Sequence, residues 1–214
     1  DRGRAVQFNS VVYAIFLPLV FAVYWALATR SLRAQNLFVL AASYLFYGWW
    51  DWRFLSLIVL SSTVDYVVGW KLGATDDARR RKVLLGISLA VNLGLLGFFK
   101  YFDFFSDSMA QVLTTLGFEV HAPTLRIALP VGISFYTFQT LSYTIDIYRR
   151  RIGPTKDVVA FFAFVAFFPQ LVAGPIERAS TLLPQFLRPR FFSRDQAASG
   201  LRIMLWGYVK KIVI

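Results

Sequence analysis

The segment 8–28, FNSVVYAIFLPLVFAVYWALA, carries no charged side chain. A helix of that length rises about 30 Å, the thickness of a bilayer's hydrocarbon core. Further apolar runs occupy 35–50, 54–70, 83–99, 127–145 and 158–176, and among them only 54–70 holds a charge, Asp65. Inside lipid each backbone polar group must be satisfied within its own segment or a closed barrel. Barrel strands would show as roughly ten-residue stretches of alternating polarity, and none is present. The expected fold is therefore all-α, a polytopic transmembrane helical bundle. Composition agrees: 57% of residues are hydrophobic, 18% aromatic and 16% charged, against roughly 25% charged in soluble domains.

Ala26, Leu27 and Ala28 mimic a signal-peptide cleavage site. The apolar run exceeds the roughly 7–15 residues of a signal core, and Tyr24 and Trp25 crowd the site, so it reads as a span. The run 35–50 closes on Tyr47, Trp49, Trp50 and Trp52, rings suited to the headgroup level. Lys100 closes 83–99, and the more polar stretch 101–123 reads as an interfacial helix and loop. RPRFFSRDQ, 188–196, reads as a surface-lying connection.

The net charge of +11 does not indicate nucleic-acid binding, because the basic residues sit between apolar blocks. If the first four runs and 127–145 each cross once, one side receives Arg30, Arg33, Lys71, Arg79, Arg80, Arg81, Lys82, Arg149, Arg150, Arg151 and Lys156. The other receives Arg2, Arg4, Arg53, Lys100 and Arg126. The positive-inside rule assigns the larger group to the cytoplasm and the N-terminus to the outside. A crossing by 158–176 would then leave Arg178, Arg188, Arg190 and Arg194 outside. Pro169 and Pro175, with Gly174 between them, argue instead for a broken or re-entrant helix; a plain crossing is the alternative. No internal repeat of fixed period is visible.

The chain has no cysteine and one histidine, His121. Thiolate chemistry and disulfides are excluded, and no metal site is expected. His121 lies in the polar loop GFEVHAPT with nothing nearby to orient it as a base. Asp65 is costly at membrane depth unless partnered; a hydrogen bond near Tyr66 or to a polar side chain such as Asn92, or protonation, would serve, and this structural reading is favoured over direct catalysis. Asp146 reads as an interfacial charge beside Arg149 and Arg150, and DDARRRK, 76–82, as a solvated loop.

Within 129–151, Gly132, Tyr136, Gln139, Tyr143 and Asp146 follow at steps of four and three, one polar face of a helix. Such a face either packs helix against helix through hydrogen bonds, with Gly132 allowing close approach, or walls a substrate channel.

Five strings occur in order: FNSVVYAIFLPLVFAVYW, NLFVLAASYLFYGWWDWRF, LPVGISFYTFQTLSYTIDIYR, FFPQLVAGPIER and LWGYVKKIVI. Together they resemble the N-terminal half of a membrane-bound O-acyltransferase of the bacterial cell-envelope branch, which acylates alginate, peptidoglycan and teichoic acids. The resemblance implies a multi-pass inner-membrane enzyme whose 1–214 segment forms a single transmembrane domain. It implies a channel in which a thioester or carrier-linked acyl donor from the cytoplasm meets a polysaccharide hydroxyl. It also implies a donor carrier on the cytoplasmic side, periplasmic acetylation partner proteins and no bound cofactor. The family's catalytic histidine has no match in this chain and is expected beyond Ile214. No catalytic role is assigned here; Gly132, Tyr136, Gln139, Tyr143, Pro169, Gln170, Gly174 and Pro175 are expected to line the channel. The alternative is a non-catalytic channel or scaffold that hands acyl groups to a separate transferase.

Overall fold

A computed structural model describes residues 11–28, 30–116, 132–171, 174 and 177–212. His121 and Pro175 lie outside the described residues. Among the described residues, nine α-helices run α1 (Val11–Leu27), α2 (Leu32–Asp51), α3 (Leu55–Gly73), α4 (Ala78–Thr115), α5 (Ile133–Tyr148), α6 (Val158–Val165), α7 (Phe168–Leu171), α8 (Ala179–Leu187) and α9 (Arg194–Ile212), with a 3-10 turn at Trp52–Phe54 before α3. The fold is all-α among the described residues, as expected.

Side-chain caps set several helix starts. The Ser31 hydroxyl accepts from the Ala34 N–H, and the Asp77 and Asp157 carboxylates accept from Arg79 and Ala160, so each satisfies a backbone donor left free at a helix N-terminus. α5 ends in a paired closure: Arg151 N–H donates to the Asp146 carbonyl and Arg150 N–H to that of Ile147. Arg150 takes the left-handed conformation, φ 58°, that this motif requires.

Trp52–Gly73 and Ala78–Phe102 are long and apolar enough to cross a membrane. α4 shows the membrane pattern most directly. Among its described side chains it buries Arg81, Ser88 and Asn92 and exposes Val83, Ile87, Leu93 and Phe98. A water-soluble amphipathic helix does the reverse, because its apolar stripe must leave water. Between its charged positions 82 and 100, α4 hides its polar side chains and displays apolar ones, the pattern of a helix set in hydrocarbon or against further apolar segments.

α4 also corrects two expectations. The helix runs unbroken through Lys100 and Tyr101 to Thr115, because no proline or capping turn interrupts it there. DDARRRK is not a uniformly solvated loop. Arg81 is buried in the first turns of α4, where its guanidinium donates to the Leu72, Thr75, Ile147 and Tyr148 carbonyls. One cation thereby closes the C-terminal ends of both α3 and α5, the ends whose carbonyls carry negative partial charge.

The core lies between α2, α3, α5, α6 and α8, with Phe161, Phe164, Ile58 and Leu72 fully enclosed. The Tyr143 ring packs against that of Phe161, tilted by 53° at 4.7 Å between centroids. It fits because residue 69 is glycine: a Cβ there would stand 2.6 Å from the Tyr143 ring. α1 joins through an aromatic knot, with Phe16 5.6 Å from Phe46 and 5.3 Å from Phe168.

Candidate functional site

Two polar regions occupy the interior, and they differ in whether their hydrogen bonds are closed. The first ties α3, α4 and α5 together. Asp65 is fully buried and its carboxyl group meets Ser88 Oγ, Asn92 Nδ2 (2.7 Å) and Thr144 Oγ1 (3.2 Å). The Asn92 carbonyl in turn accepts from Ser61 Oγ at 2.6 Å and Thr140 Oγ1 at 3.2 Å. Asn92 is thus a partner of Asp65, one of the partners the sequence offered, while the hydroxyls of Ser88 and Thr144 on Asp65 and of Ser61 and Thr140 on Asn92 were not foreseen. For Thr140 and Thr144 the signal was the repeat of Thr at helical spacing, 137, 140 and 144; Ser61 and Ser88 carried none. A network this fully bonded rigidifies a helix junction.

The second region lies where α5 meets α6 and α7, and it involves the described residues singled out from sequence, Pro175 lying outside them. Pro169 has no N–H and its ring crowds the carbonyl four residues back, that of Val165, where α6 ends. Breaking the helix frees backbone groups that must be satisfied elsewhere. The Phe164 carbonyl accepts from Gln139 Nε2 at 2.7 Å, and the Phe168 N–H donates to Ser43 Oγ at 3.2 Å. Gln139 and Tyr143 are therefore bonded into the scaffold, Tyr143 Oη accepting from the Thr155 N–H at 3.2 Å.

Gly132 caps α5 at φ +81°, and a Cβ on it would stand 2.7 Å from the Leu171 carbonyl oxygen. Gly174 donates its N–H to the Gln170 carbonyl and lies against the Gln170 backbone. The stripe of α5 and the broken segment, separate in sequence, form one place.

Tyr136 and Gln170 stand apart there. Both are buried, yet the Tyr136 hydroxyl and the Gln170 amide nitrogen have no hydrogen-bond partner among the described residues. An unsatisfied buried polar atom costs about 1–3 kcal/mol, so each of the two has a hydrogen bond to offer. Asp146, at the other end of the stripe, is buried and faces Arg151 at 3.7 Å rather than Arg149 or Arg150. Among the described residues no three His, Cys, Asp or Glu side chains are placed to hold a metal ion.

The comparisons with known proteins decide what this architecture belongs to. The chain is 40% identical over 210 residues to the probable alginate O-acetylase AlgI of Azotobacter vinelandii, covering 96% of this chain and 40% of the relative. It is 39% identical over 209 residues to the protein of the same name in Pseudomonas aeruginosa, again over 96% of this chain and 39% of the relative. The chain belongs to the membrane-bound O-acyltransferase family. A peptidoglycan O-acetyltransferase of Helicobacter pylori matches at 33% identity, over 100% of this chain and 45% of that protein. The chain thus spans about two fifths of the length of the curated O-acyltransferases it matches. No family model matches the chain. No solved structure matches it. Membership in this family sets the inverted polarity of α4 in its context: the protein is a membrane protein.

Proposed function

We propose that the chain is the part of a multi-pass bacterial inner-membrane O-acyltransferase that builds one wall of its acyl channel, with 1–214 forming a single transmembrane domain. The enzyme moves an acyl group, acetyl in the first instance, from a thioester or carrier-linked donor on the cytoplasmic side to a hydroxyl of an exported polysaccharide such as alginate. The observation that carries this reading is the match of 96% of the chain to alginate O-acetylases at 40% identity.

The contacts of α6 to α8 support a re-entrant segment. Thr155 meets Tyr143, Phe164 meets Gln139, and Leu171 meets Gly132, so the chain descends along α5. Ala179 then donates its N–H to Ser142 Oγ, back at the starting level. From Tyr143 to Gly132 is about 16 Å of helix rise, roughly half of a hydrocarbon core. The turn at Pro169 to Gly174 thus sits near mid-membrane. That is the depth at which a donor entering from one face can meet an acceptor entering from the other.

In the transfer from a thioester donor, the acceptor hydroxyl oxygen bonds the acyl carbon, the donor's carbon–sulfur bond breaks, and the sulfur leaves as thiolate, which becomes thiol by taking up the proton that the base removed from the acceptor. The acceptor's proton goes to a base, the histidine that the family resemblance implies. Tyr136 and Gln170 act as positioning residues: their free O–H and N–H donate to the acyl carbonyl as it passes the break. A donor carrier docks on the cytoplasmic side, and periplasmic partner proteins receive or present the polymer.

The test is transfer of labelled acetyl to envelope polysaccharide in membranes holding the full-length protein. Tyr136→Phe removes one oxygen and no packing. It should slow transfer about tenfold or more, the weight of one hydrogen bond near a reacting carbonyl, while thermal stability stays level or rises because an unsatisfied hydroxyl is gone. Unchanged transfer would remove Tyr136 from the channel. Transfer that requires a second transferase protein would favour the scaffold reading over the enzyme.

A further inference from the structure

The segment 188–193 joins α8 to α9 and carries Arg190 into a niche between α1, α2 and α8. The guanidinium is fixed on three sides. Its Nε donates to the Gln185 carbonyl at 2.8 Å and its Nη2 to Asn36 Oδ1 at 2.6 Å. Asn36, fully buried, is itself oriented by donating to the Phe186 carbonyl at 2.8 Å. The guanidinium plane lies over the Phe186 ring at 5.0 Å and the Tyr24 ring at 5.6 Å. The fourth group, Nη1, is shut off from bulk water and has no partner among the described residues.

Trp25 contributes a second unused donor, its Nε1, also buried and without a partner among the described residues. Both side chains line the same three adjoining cavities, of about 740, 520 and 290 Å³. No Asp or Glu lines any of them. Arg190 is permanently charged and half-buried, and an anion that accepts from its enclosed Nη1 would satisfy both the charge and the free donor. The described wall supplies none.

The cavities differ in kind. The largest has a polar lip of Ser180, Thr181 and Gln196, with exposed Arg188 at its edge. The smallest is walled by Leu17, Val20, Val39, Phe167 and Phe168. Arg190 and Trp25 stand where the polar and apolar spaces join. A free anion would use only the first. An amphiphile with an anionic head and a hydrocarbon tail uses both, and a membrane protein is surrounded by one such class of molecule.

We infer that this niche is a binding site for an anionic phospholipid, its phosphate accepting from Arg190 Nη1 and Trp25 Nε1 and one acyl chain lying in the apolar cavity between α1 and α7. The Arg190 side chain is locked before the ligand arrives, so little conformational freedom is lost on binding. Guanidinium and indole N–H groups both suit phosphate oxygens.

The test uses the full-length protein, delipidated in neutral detergent and titrated with dioleoyl-phosphatidylglycerol, bound lipid being counted by native mass spectrometry. One phosphatidylglycerol should be held in preference to dioleoyl-phosphatidylcholine, more weakly at high salt. Trp25→Phe keeps an aromatic ring but removes the pyrrole part of the indole with its N–H, and it should weaken that binding about tenfold while Arg190 keeps the selectivity for an anionic head. Arg190→Lys should weaken it further, because an ammonium cannot keep the Gln185 and Asn36 bonds while reaching the phosphate. Equal binding of both lipids, or phosphatidylglycerol affinity unchanged by Trp25→Phe, would overturn the site. Inorganic phosphate that displaces the lipid at equal concentration would identify a free anion as the ligand and overturn the lipid assignment. Absence of any tightly held lipid would mean that the protein itself fills the niche, and would overturn it too.

Discussion

Gly132 is a residue whose identity is dictated by one neighbouring atom. Its φ of +81° is a conformation that costs an L-residue about 1–2 kcal/mol, and the Leu171 carbonyl oxygen stands where a methyl group would go. Gly132→Ala should therefore destabilise the protein by at least that amount, read as a lowered Tm of the full-length protein in detergent. A wild-type Tm would mean that Leu171 yields freely and that the break is not anchored to α5. The spacing of the stripe was legible in the sequence, since Gly132, Tyr136, Gln139 and Tyr143 repeat at helical steps. Which members are bonded and which are free was not, because their partners are main-chain groups at Phe164, Leu171 and Thr155. The Arg190 and Trp25 niche was less legible still. Two donors 165 positions apart carry no shared pattern, and RPRFF reads locally as an interfacial connection.

Among the elements, the α6–α7 break shows how a single proline organises its surroundings. Pro169 ends α6 at Val165, and the backbone groups it frees are taken up by Gln139 from α5 and Ser43 from α2. Gln139→Leu preserves bulk but leaves the Phe164 carbonyl buried without its donor, at a cost of about 1–3 kcal/mol. The expected result is a lower Tm together with faster amide hydrogen exchange across 158–171. Faster exchange confined to α5 would show that Gln139 serves its own helix and not the break. Proline made this element readable in advance. α4 was misjudged at Lys100 for the complementary reason: a charge next to an apolar run marks a membrane boundary, and it does not end a helix. At 38 residues α4 rises about 57 Å, nearly twice a hydrocarbon core, so the membrane edge and the helix end are different places on it.

At the scale of the whole molecule, the question is on which face the basic residues of 178–194 emerge. Arg190 bonds Asn36 in the first turns of α2, next to Arg30 and Arg33 in sequence, and that proximity favours a segment that enters and returns over one that crosses. On the re-entrant path, Arg178, Arg188, Arg190 and Arg194 join the side that already holds the majority of Lys and Arg, and the positive-inside pattern becomes consistent along the chain. The absence of cysteine from the 214 residues makes this measurable. Single cysteines at exposed positions, Arg33→Cys, Arg53→Cys, Arg79→Cys and Arg194→Cys, are placed in the full-length protein with any other cysteines removed. Cells are then treated with a membrane-impermeant thiol reagent before and after lysis. Positions 33, 79 and 194 should label together only after lysis, and 53 should label on intact spheroplasts. If 194 labels with 53, the segment crosses, the contacts of Ala179 and Arg190 are wrong for the membrane-embedded protein, and the mid-membrane placement of Tyr136 and Gln170 falls with them. If it labels with 33, a helix of eight residues, rising only about 12 Å, needs no second face to reach: it dips to the depth of the open break and comes back.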